Sequence, residues 1–374
     1  MTSQLTQPVW ITRDTELADA CEHWADAEFL ALDTEFVRTT TFYPKPGLIQ
    51  LATTEECWLI DPLSITDWEP FRVLMRNPAV IKVFHSCAED LEVCKRLFNE
   101  LPDPLFDTQL AMAFAGHGHS VGFQRALSEL LQVDIPKEAT RSDWLKRPLS
   151  PDQVEYAVAD VYYLRRIYPL LRDELVAQNR LSWLEEDCQR LLSDSRTTDD
   201  DFRDSYRRVK LGWKLRPQEQ YILQQLSIWR EHEARRRDVP RNKVADDRSL
   251  WNMARYKSSS KQELHKAGLP PHIYREAAEQ LLDIISAALQ ADESQWPVML
   301  DRPLSVEDGN RLKALKEIVN QRAEALQLPS ELLASKRLLT PLARSDSDEI
   351  PSGLQDGWRR DAVGTALFDW LQHN

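Results

Sequence analysis

Short apolar runs alternate with helical patterns over roughly the first 190 residues. The apolar runs predict five buried strands, at Phe29–Leu32, Leu48–Ala52, Cys57–Ile60, Val80–Phe84 and Leu105–Phe106. Only the four polar residues 53–56 separate the second strand from the third, which predicts an antiparallel hairpin. Strands that alternate with helices are typical of an α/β domain.

Helical patterns lie between and after these strands, over about 67–75, 86–98, 108–114, 123–131 and from 150 onward. A Ser or Thr followed three residues later by Glu or Gln predicts a capping box at a helix start. Three such pairs occur: Thr66 with Glu69, Ser86 with Glu89, and Ser150 with Gln153. Because apolar residues then keep a period of 3.6 from 154 to 167, the last pair predicts a long helix.

The pattern changes after residue 192. Residues 193–209 are mostly polar and charged, which predicts a linker, and the rest of the chain has helical periodicity almost throughout. Helices are expected near 218–237, 272–289, 305–326 and 355–372. We therefore expect an α/β domain over 1–192 and two helical domains, over 210–292 and 293–374, of which the second is a divergent copy of the first.

Composition and charge narrow the class of protein. The 374 residues are 42% hydrophobic and 29% charged, as in globular proteins, and the net charge of −13 excludes a polybasic coat for nucleic acid. A local basic patch or a bound metal ion can still offset that charge. The five cysteines contain no C-x-x-C pair, and no apolar run has the length of a membrane span or a signal peptide. We expect a cytoplasmic protein with no membrane partner.

Acidic side chains stand at the ends of predicted elements. Asp33 and Glu35 follow a buried strand two residues apart, so they share one face. Such close carboxylates disfavour ionisation unless a cation such as Mg²⁺ or Mn²⁺, which prefers carboxylate oxygens, lies between them. The alternative is that the strand simply ends at Asp33 and that Glu35 lies in solvent. Asp90 lies in the first turn of a predicted helix, where an acid also complements the helix dipole.

Tyr156 and Asp160 lie one turn apart on one face of the long helix. Such a pair alone is more typical of a half-buried helix edge than of a site. Four carboxylates around one pocket, however, suit two-metal hydrolysis of a phosphodiester, in which cations activate water and stabilise the leaving oxygen.

Three strings carry a resemblance to a known family: Leu32-Asp33-Thr-Glu35-Phe, His85-x-x-x-x-Asp90-Leu and Tyr156-x-x-x-Asp160. They resemble the motifs of the DEDD superfamily of 3′–5′ exonucleases, in its tyrosine-bearing branch. Within it, the surrounding strings resemble the ribonuclease D family: Gly47-Leu-Ile-Gln-Leu51, Phe106-Asp-Thr-Gln-Leu110, Ser142-Asp-Trp144, Arg147-Pro-Leu149 and Asp160-Val-x-Tyr-Leu164. The resemblance covers about residues 5–190 and implies a ribonuclease-H-like mixed-sheet domain, followed by one or two all-α, HRDC-like domains.

The resemblance also implies roles for these residues. Asp33, Glu35, Asp90 and Asp160 would hold two Mg²⁺ or Mn²⁺ ions, and Tyr156 would orient the attacking water. The substrate would be the 3′ end of RNA, such as a transfer-RNA precursor or another small structured RNA, and the products nucleoside 5′-monophosphates. No obligatory protein partner is implied.

The helical region resembles the HRDC domain, an auxiliary nucleic-acid-binding module, in the string Glu231-x-x-Ala234-Arg235-x-x-Asp238-Val-Pro240. Basic residues nearby are expected to contact RNA phosphates: Arg207, Arg208, Lys210, Arg235 and Arg236. The alternative for each is an ion pair on a solvated helix face, because acids lie within one turn.

Two other functions stay open at this point. One is a 3′–5′ exonuclease that acts on DNA, because both polymers present the same phosphodiester. The other is an RNA-binding scaffold in which the acids are structural. The chain contains no G-x-x-x-x-G-K-[ST] string, so a nucleotide-driven motor is not expected.

Overall fold

The computed structural model describes residues 7–135, 142–196, 201–344 and 350–373. The chain divides into two compact units. The first unit comprises residues 1–37, 45–196 and 304–374, and the second comprises 38–44 and 197–303. Among the helices of the described residues, none combines the length and hydropathy that crossing a bilayer requires.

A six-stranded mixed sheet forms the centre of the first unit. Its strands are β1 (Val9–Ile11), β2 (Phe29–Val37), β3 (Lys45–Ala52), β4 (Cys57–Ile60), β5 (Ile81–Phe84) and β6 (Leu105–Asp107), in the order β1-β4-β3-β2-β5-β6. The β2–β3 and β3–β4 pairs are antiparallel, whereas β1–β4, β2–β5 and β5–β6 are parallel. The predicted hairpin and the mixed sheet are confirmed.

Two strands differ from the predicted pattern. β2 continues from Leu32 to Val37 and so includes both acids that were expected to follow it. β1 was not predicted, because Val9 and Trp10 are exposed and only Ile11 is buried. A three-residue edge strand with one buried residue leaves no apolar run in the sequence.

The described residues of the N-terminal part of this unit form seven helices in addition to the sheet. They are α1 (Asp14–Trp24), α2 (Glu69–Met75), α3 (Ala88–Phe98), α4 (Thr108–Ala115), α5 (Phe123–Leu131), α6 (Pro151–Ala177) and α7 (Leu181–Arg196). The capping box at Ser150 and Gln153 is confirmed, since each side chain accepts a hydrogen bond from the backbone N–H of the other residue.

The other two predicted capping boxes are wrong, because groups distant in sequence replace the local partner. Thr66 donates its hydroxyl to Asp14 at 2.6 Å, and α2 begins three residues later. The backbone N–H groups of Ser86 and Cys87 donate to the Asp107 carboxylate at 3.1 and 2.9 Å. A capping signal in sequence cannot reveal such a competing partner.

The second unit is helical. It contains α8 (Pro217–Arg237), α9 (Arg241–Val244), α10 (Asp247–Tyr256), α11 (Lys261–Ala267) and α12 (Pro271–Gln290). The predicted linker 193–209 is partly ordered structure: α7 runs to Arg196, and Tyr206, in a short 3₁₀ turn, is 1% exposed in the core of the second unit. Residues 197–200 lie outside the described part.

The C-terminal helices belong to the first unit. They are α13 (Val306–Leu326), α14 (Ser330–Leu333), α15 (Lys336–Ala343), α16 (Gly357–Arg359) and α17 (Thr365–His373). Trp358 stacks on Trp183 of α7 at 5.0 Å between ring centroids, and Arg359 forms two hydrogen bonds with Asp187. The segment therefore shares a core with the α/β domain, and its origin as a second, divergent HRDC-like domain stays a prediction.

Candidate active site

Two elements bring three of the predicted acids together. Asp33 and Glu35 lie on β2, and Asp160 lies on α6. One carboxylate oxygen from each lies within 4.8 Å of the other two. The group forms because side chains two apart on a strand share a face and α6 packs against β2 on that face.

The two acids of β2 lie directly after the buried first part of the strand. Residues 29–32 are buried, and Asp33 and Glu35 are half-buried. Asp33 pairs with Gln50 across the β2–β3 ladder, Glu35 pairs with Leu48, and the register shifts directly after Glu35. The pairing with β3 thus holds the backbone of both acids in the sheet.

Asp90 is not one of these three acids, and its carboxylate accepts a hydrogen bond from another residue of β2. It occupies the first turn of α3, as predicted, and is buried. The hydroxyl of Thr34 donates to Asp90 Oδ1 at 2.5 Å. Because Thr34 lies between the two acids of β2, its side chain points to the opposite face of the strand.

A cavity of about 120 Å³ opens at the acids. Asp33, Tyr156 and Asp160 line it together with three further residues, His85, Phe123 and Leu164. The predicted phenol and two of the predicted acids are thus among the residues that line this cavity. Tyr156 and Asp160 lie one helical turn apart on α6.

The carboxyl groups resist ionisation in the absence of a cation. Burial, with the neighbouring Asp160, raises the pKa of Asp33 well above its usual range. Burial and the nearby Asp33 and Asp160 raise the pKa of Glu35 to about 10. Burial raises the pKa of Asp160 to about 7, and burial and Asp33 raise the pKa of Asp90. The acids therefore need positive charge to be ionised together.

The donor set fits a hard divalent cation. All the acids offer carboxylate oxygens, which Mg²⁺ and Mn²⁺ prefer. Asp160 Oδ2 is buried and has no hydrogen-bond partner among the described residues. A buried carboxylate oxygen without a partner is costly unless a cation or water reaches it, so this atom is a suitable ligand.

Tyr156 stays a phenol at neutral pH. Burial, with the charges of Asp160 and Glu35, raises the pKa of its hydroxyl above the usual value. A group that holds its proton so firmly is a poor general base. It can hydrogen-bond to a water or a phosphate oxygen in the cavity.

Sequence reasoning missed the other cavity residues. His85 Nδ1 lies 2.9 Å from Thr108 Oγ1 and Nε2 lies 3.1 Å from the Val121 carbonyl oxygen, so protein groups hold both ring nitrogens. The Phe123 ring lies 5.2 Å from that imidazole. The place of His85 directly after β5, in the string that contains Asp90, was a usable signal. No signal marked Phe123, at the start of α5.

The predicted basic residues fall into two groups. Three of them form ion pairs or stacks within the second unit. Arg207 pairs with Asp204 at 2.6 Å and Arg236 with Glu233 at 2.8 Å. Arg235 pairs with Glu231 and lies over the rings of Phe42 and Phe202, with its guanidinium carbon 4.5 and 4.0 Å from the ring centroids. For these three the ion-pair interpretation holds.

Arg208 and Lys210 form the other group. Both are exposed, and neither forms an ion pair with the described part of the chain. Lys214 follows on the same segment, with its ammonium 5.3 Å from the Trp213 ring centroid. Free cations next to an aromatic ring suit contacts with phosphates and bases.

Family models match two parts of the chain. A 3′–5′ exonuclease model matches residues 8–176, and an HRDC domain model matches residues 219–285. Curated relatives match over nearly the whole chain. Ribonuclease D of Pseudomonas paraeruginosa is 43% identical over 97% of both chains, and ribonuclease D of Escherichia coli is 38% identical over 97% of this chain and 98% of its own.

Solved structures give the same result. The crystal structure of Escherichia coli RNase D, an exoribonuclease involved in structured RNA processing, matches with a TM-score of 0.91 and 36% identity, over 98% of this chain and 99% of that one. A protein from Bifidobacterium adolescentis matches with a TM-score of 0.70 and 21% identity, over 98% and 97% of the two chains, which shows a shared fold.

Proposed function

We propose, on the premise that this chain belongs to the ribonuclease D family, that its acidic cavity removes nucleotides one at a time from the 3′ end of RNA by two-metal-ion hydrolysis. The chain is a 3′–5′ exoribonuclease and hence a phosphodiester hydrolase that acts on RNA. We propose the number of metal ions, the role of each residue and the identity of the products. The observation that carries it is the group of Asp33, Glu35 and Asp160 oxygens within 4.8 Å.

Asp33, Glu35, Asp90 and Asp160 would hold two divalent cations, Mg²⁺ or Mn²⁺. When bound, the cations supply charge that favours ionisation of an attacking water and stabilises the leaving oxygen. Asp33 is the best candidate for a shared ligand, because it lies in the three-acid group and its charge also acts on Asp90. Ionised carboxylates would then replace the protonated forms that burial favours.

Tyr156 would orient the nucleophile. Its side chain lines the cavity together with Asp33 and Asp160, and it lies one turn from Asp160 on α6. Because its pKa is raised, it would act by hydrogen bonding rather than by taking a proton. The nucleoside 5′-monophosphate would leave with the phosphate that was attacked.

An unpaired 3′ end is the expected form of the substrate. Bases of single-stranded RNA can be separated from their neighbours and bound individually, whereas paired bases cannot. Digestion would therefore stop at a structured core, as on transfer-RNA precursors and other small structured RNAs. In the second unit, Arg208, Lys210 and Lys214 would contact an RNA backbone.

A product assay tests the proposal. A transfer-RNA precursor and a DNA strand of the same sequence, labelled along their length, are incubated with Mg²⁺ or Mn²⁺, and the products are separated by thin-layer chromatography. We expect 5′-mononucleotides from RNA, none with chelator, and none from Asp33→Asn or Asp160→Asn. Faster release from DNA would contradict the substrate class, and full activity of both variants would contradict the site.

A further inference from the structure

Thr34 lies between Asp33 and Glu35 in sequence, but its side chain hydrogen-bonds to a different acid. Its side chain points away from theirs, because alternate residues of a strand face opposite sides. There its hydroxyl donates to Asp90 Oδ1 at 2.5 Å, and the two residues are only 8% and 7% exposed. The middle residue of the acidic string on β2 thus contacts the acid of α3.

We propose that Thr34 is a positioning residue, whose hydroxyl holds the Asp90 carboxylate in the orientation that binds a cation. The inference rests on the proposed function, since it requires Asp90 to be a ligand. A carboxylate on a helix can rotate about its side-chain bonds, and the hydrogen bond from Thr34 to Oδ1 favours one rotamer. Hydrogen bonds to metal ligands from such neighbouring residues change affinity by about 10- to 100-fold.

The hydroxyl rather than the bulk of Thr34 is the important feature. Valine has nearly the same shape and keeps the packing, but it cannot donate to Asp90 Oδ1. Without that donor the buried carboxylate loses a hydrogen bond. The backbone of residue 34 remains paired in the β2–β3 ladder, opposite Ile49, so the substitution leaves the strand register unchanged.

The test compares three variants of the full chain: Thr34→Val, Thr34→Ser and the matched control Thr53→Val. Thr53 is buried to the same 8%, but its hydroxyl accepts from the turn residues Glu55 and Glu56. Mn²⁺ binding is measured without RNA, from the electron paramagnetic resonance signal of free Mn²⁺. The Mn²⁺ dependence of RNA cleavage is measured in parallel.

We expect Thr34→Val to need about tenfold more Mn²⁺ for half-saturation in both measurements. Thr34→Ser keeps the hydroxyl and is expected to stay within about twofold of the unsubstituted chain, as is Thr53→Val. The cleavage rate of Thr34→Val should largely recover at saturating Mn²⁺, because the acids themselves are intact.

Equal Mn²⁺ binding by Thr34→Val and the unsubstituted chain would overturn the inference. So would a loss in Thr34→Ser as large as that in Thr34→Val, since packing would then be the cause. If Thr34→Val does not fold, Thr34→Ala replaces it and is compared with Thr34→Ser by the same criteria. If Thr34→Val binds normally while Asp160→Asn abolishes cleavage, only this inference fails. If Asp160→Asn cleaves at full rate, the proposed function fails.

Discussion

A carboxylate oxygen of Asp160 lies within 4.8 Å of one of Asp33, although the first residue belongs to the long helix α6 and the second to the central strand β2. Burial disfavours ionisation of both carboxyl groups.

Removing one acid should abolish cleavage and stabilise the cation-free fold. For Asp160→Asn, we expect cleavage to fall at least about 100-fold, because a ligand is lost. In chelator, we expect its melting temperature to rise by about 2 °C or more, because a buried ionisable group is replaced by a neutral amide. Mononucleotide release and differential scanning calorimetry measure the two effects. A fall in both would indicate a structural role for Asp160.

The stability of the cation-free protein should fall as pH rises. The folded-state pKa values of Asp160 and Glu35 are raised to about 7 and about 10, above the usual range for carboxyl groups. Their contribution to stability is therefore full below the unfolded pKa of about 4 and is lost as pH rises through the folded values. Between pH 5 and 8 in chelator, we expect the melting temperature to decrease, and millimolar Mn²⁺ to reduce the decrease. Melting curves of Asp160→Asn, in which the decrease should be smaller, provide the control.

Tyr156→Phe should slow cleavage without weakening cation binding. The phenol lies one turn from Asp160 on α6, lines the cavity and is proposed to orient water, but it is not a proposed ligand. We expect a loss of about 10- to 100-fold in the single-turnover rate at saturating Mn²⁺, with unchanged Mn²⁺ binding in the absence of RNA. Because the Tyr156 pKa is raised, its ionisation should leave no inflection in the rate profile between pH 6 and 9. An inflection that disappears in Tyr156→Phe would contradict this role.

Basic residues of the second unit should contribute unequally to RNA binding. We expect Lys210→Ala to weaken binding and to reduce the slope of log affinity against log salt by about 0.7 per lost phosphate contact. Arg236→Ala is the matched control, since the exposed Arg236 already forms an ion pair with Glu233. Fluorescence anisotropy with a single-stranded RNA in Ca²⁺ or chelator measures the slopes. Equal effects of the two substitutions would contradict the division into free and paired cations.

Breaking the contact between α16 and α7 should destabilise the first unit. Arg359 and Asp187 are both largely buried, and Asp187 also accepts from the indole N–H of Trp358. We expect Arg359→Ala to lower the free energy of unfolding by about 3 kcal/mol, because it leaves a buried carboxylate without its cation. Arg360→Ala, at the exposed neighbouring position, should change it by less than about 0.5 kcal/mol. Urea unfolding followed by tryptophan fluorescence reports on the stacked Trp183 and Trp358.

Strong local patterns predicted much of the fold. The apolar runs at 48–52 and 57–60 became paired strands, and the capping box at Ser150 opens α6 as expected. Two capping boxes predicted from local sequence were wrong, because hydrogen bonds to distant residues replace them. Thr66 and Ser86 resemble capping residues, but Asp14 and Asp107 form the hydrogen bonds that decide these turns.

Local patterns were enough to identify the candidate residues of the site: two acids on one strand face, an acid at a helix start, and a phenol one turn before another acid. Periodicity is local, so it fixes which side chains share a face of one element. The other features of the site appear only in the folded chain. Asp90 faces Thr34, and His85 and Phe123 lie in the cavity. Arg235 pairs with Glu231, while Lys210 is exposed. These choices depend on which elements pack together, and packing joins residues that no local pattern links.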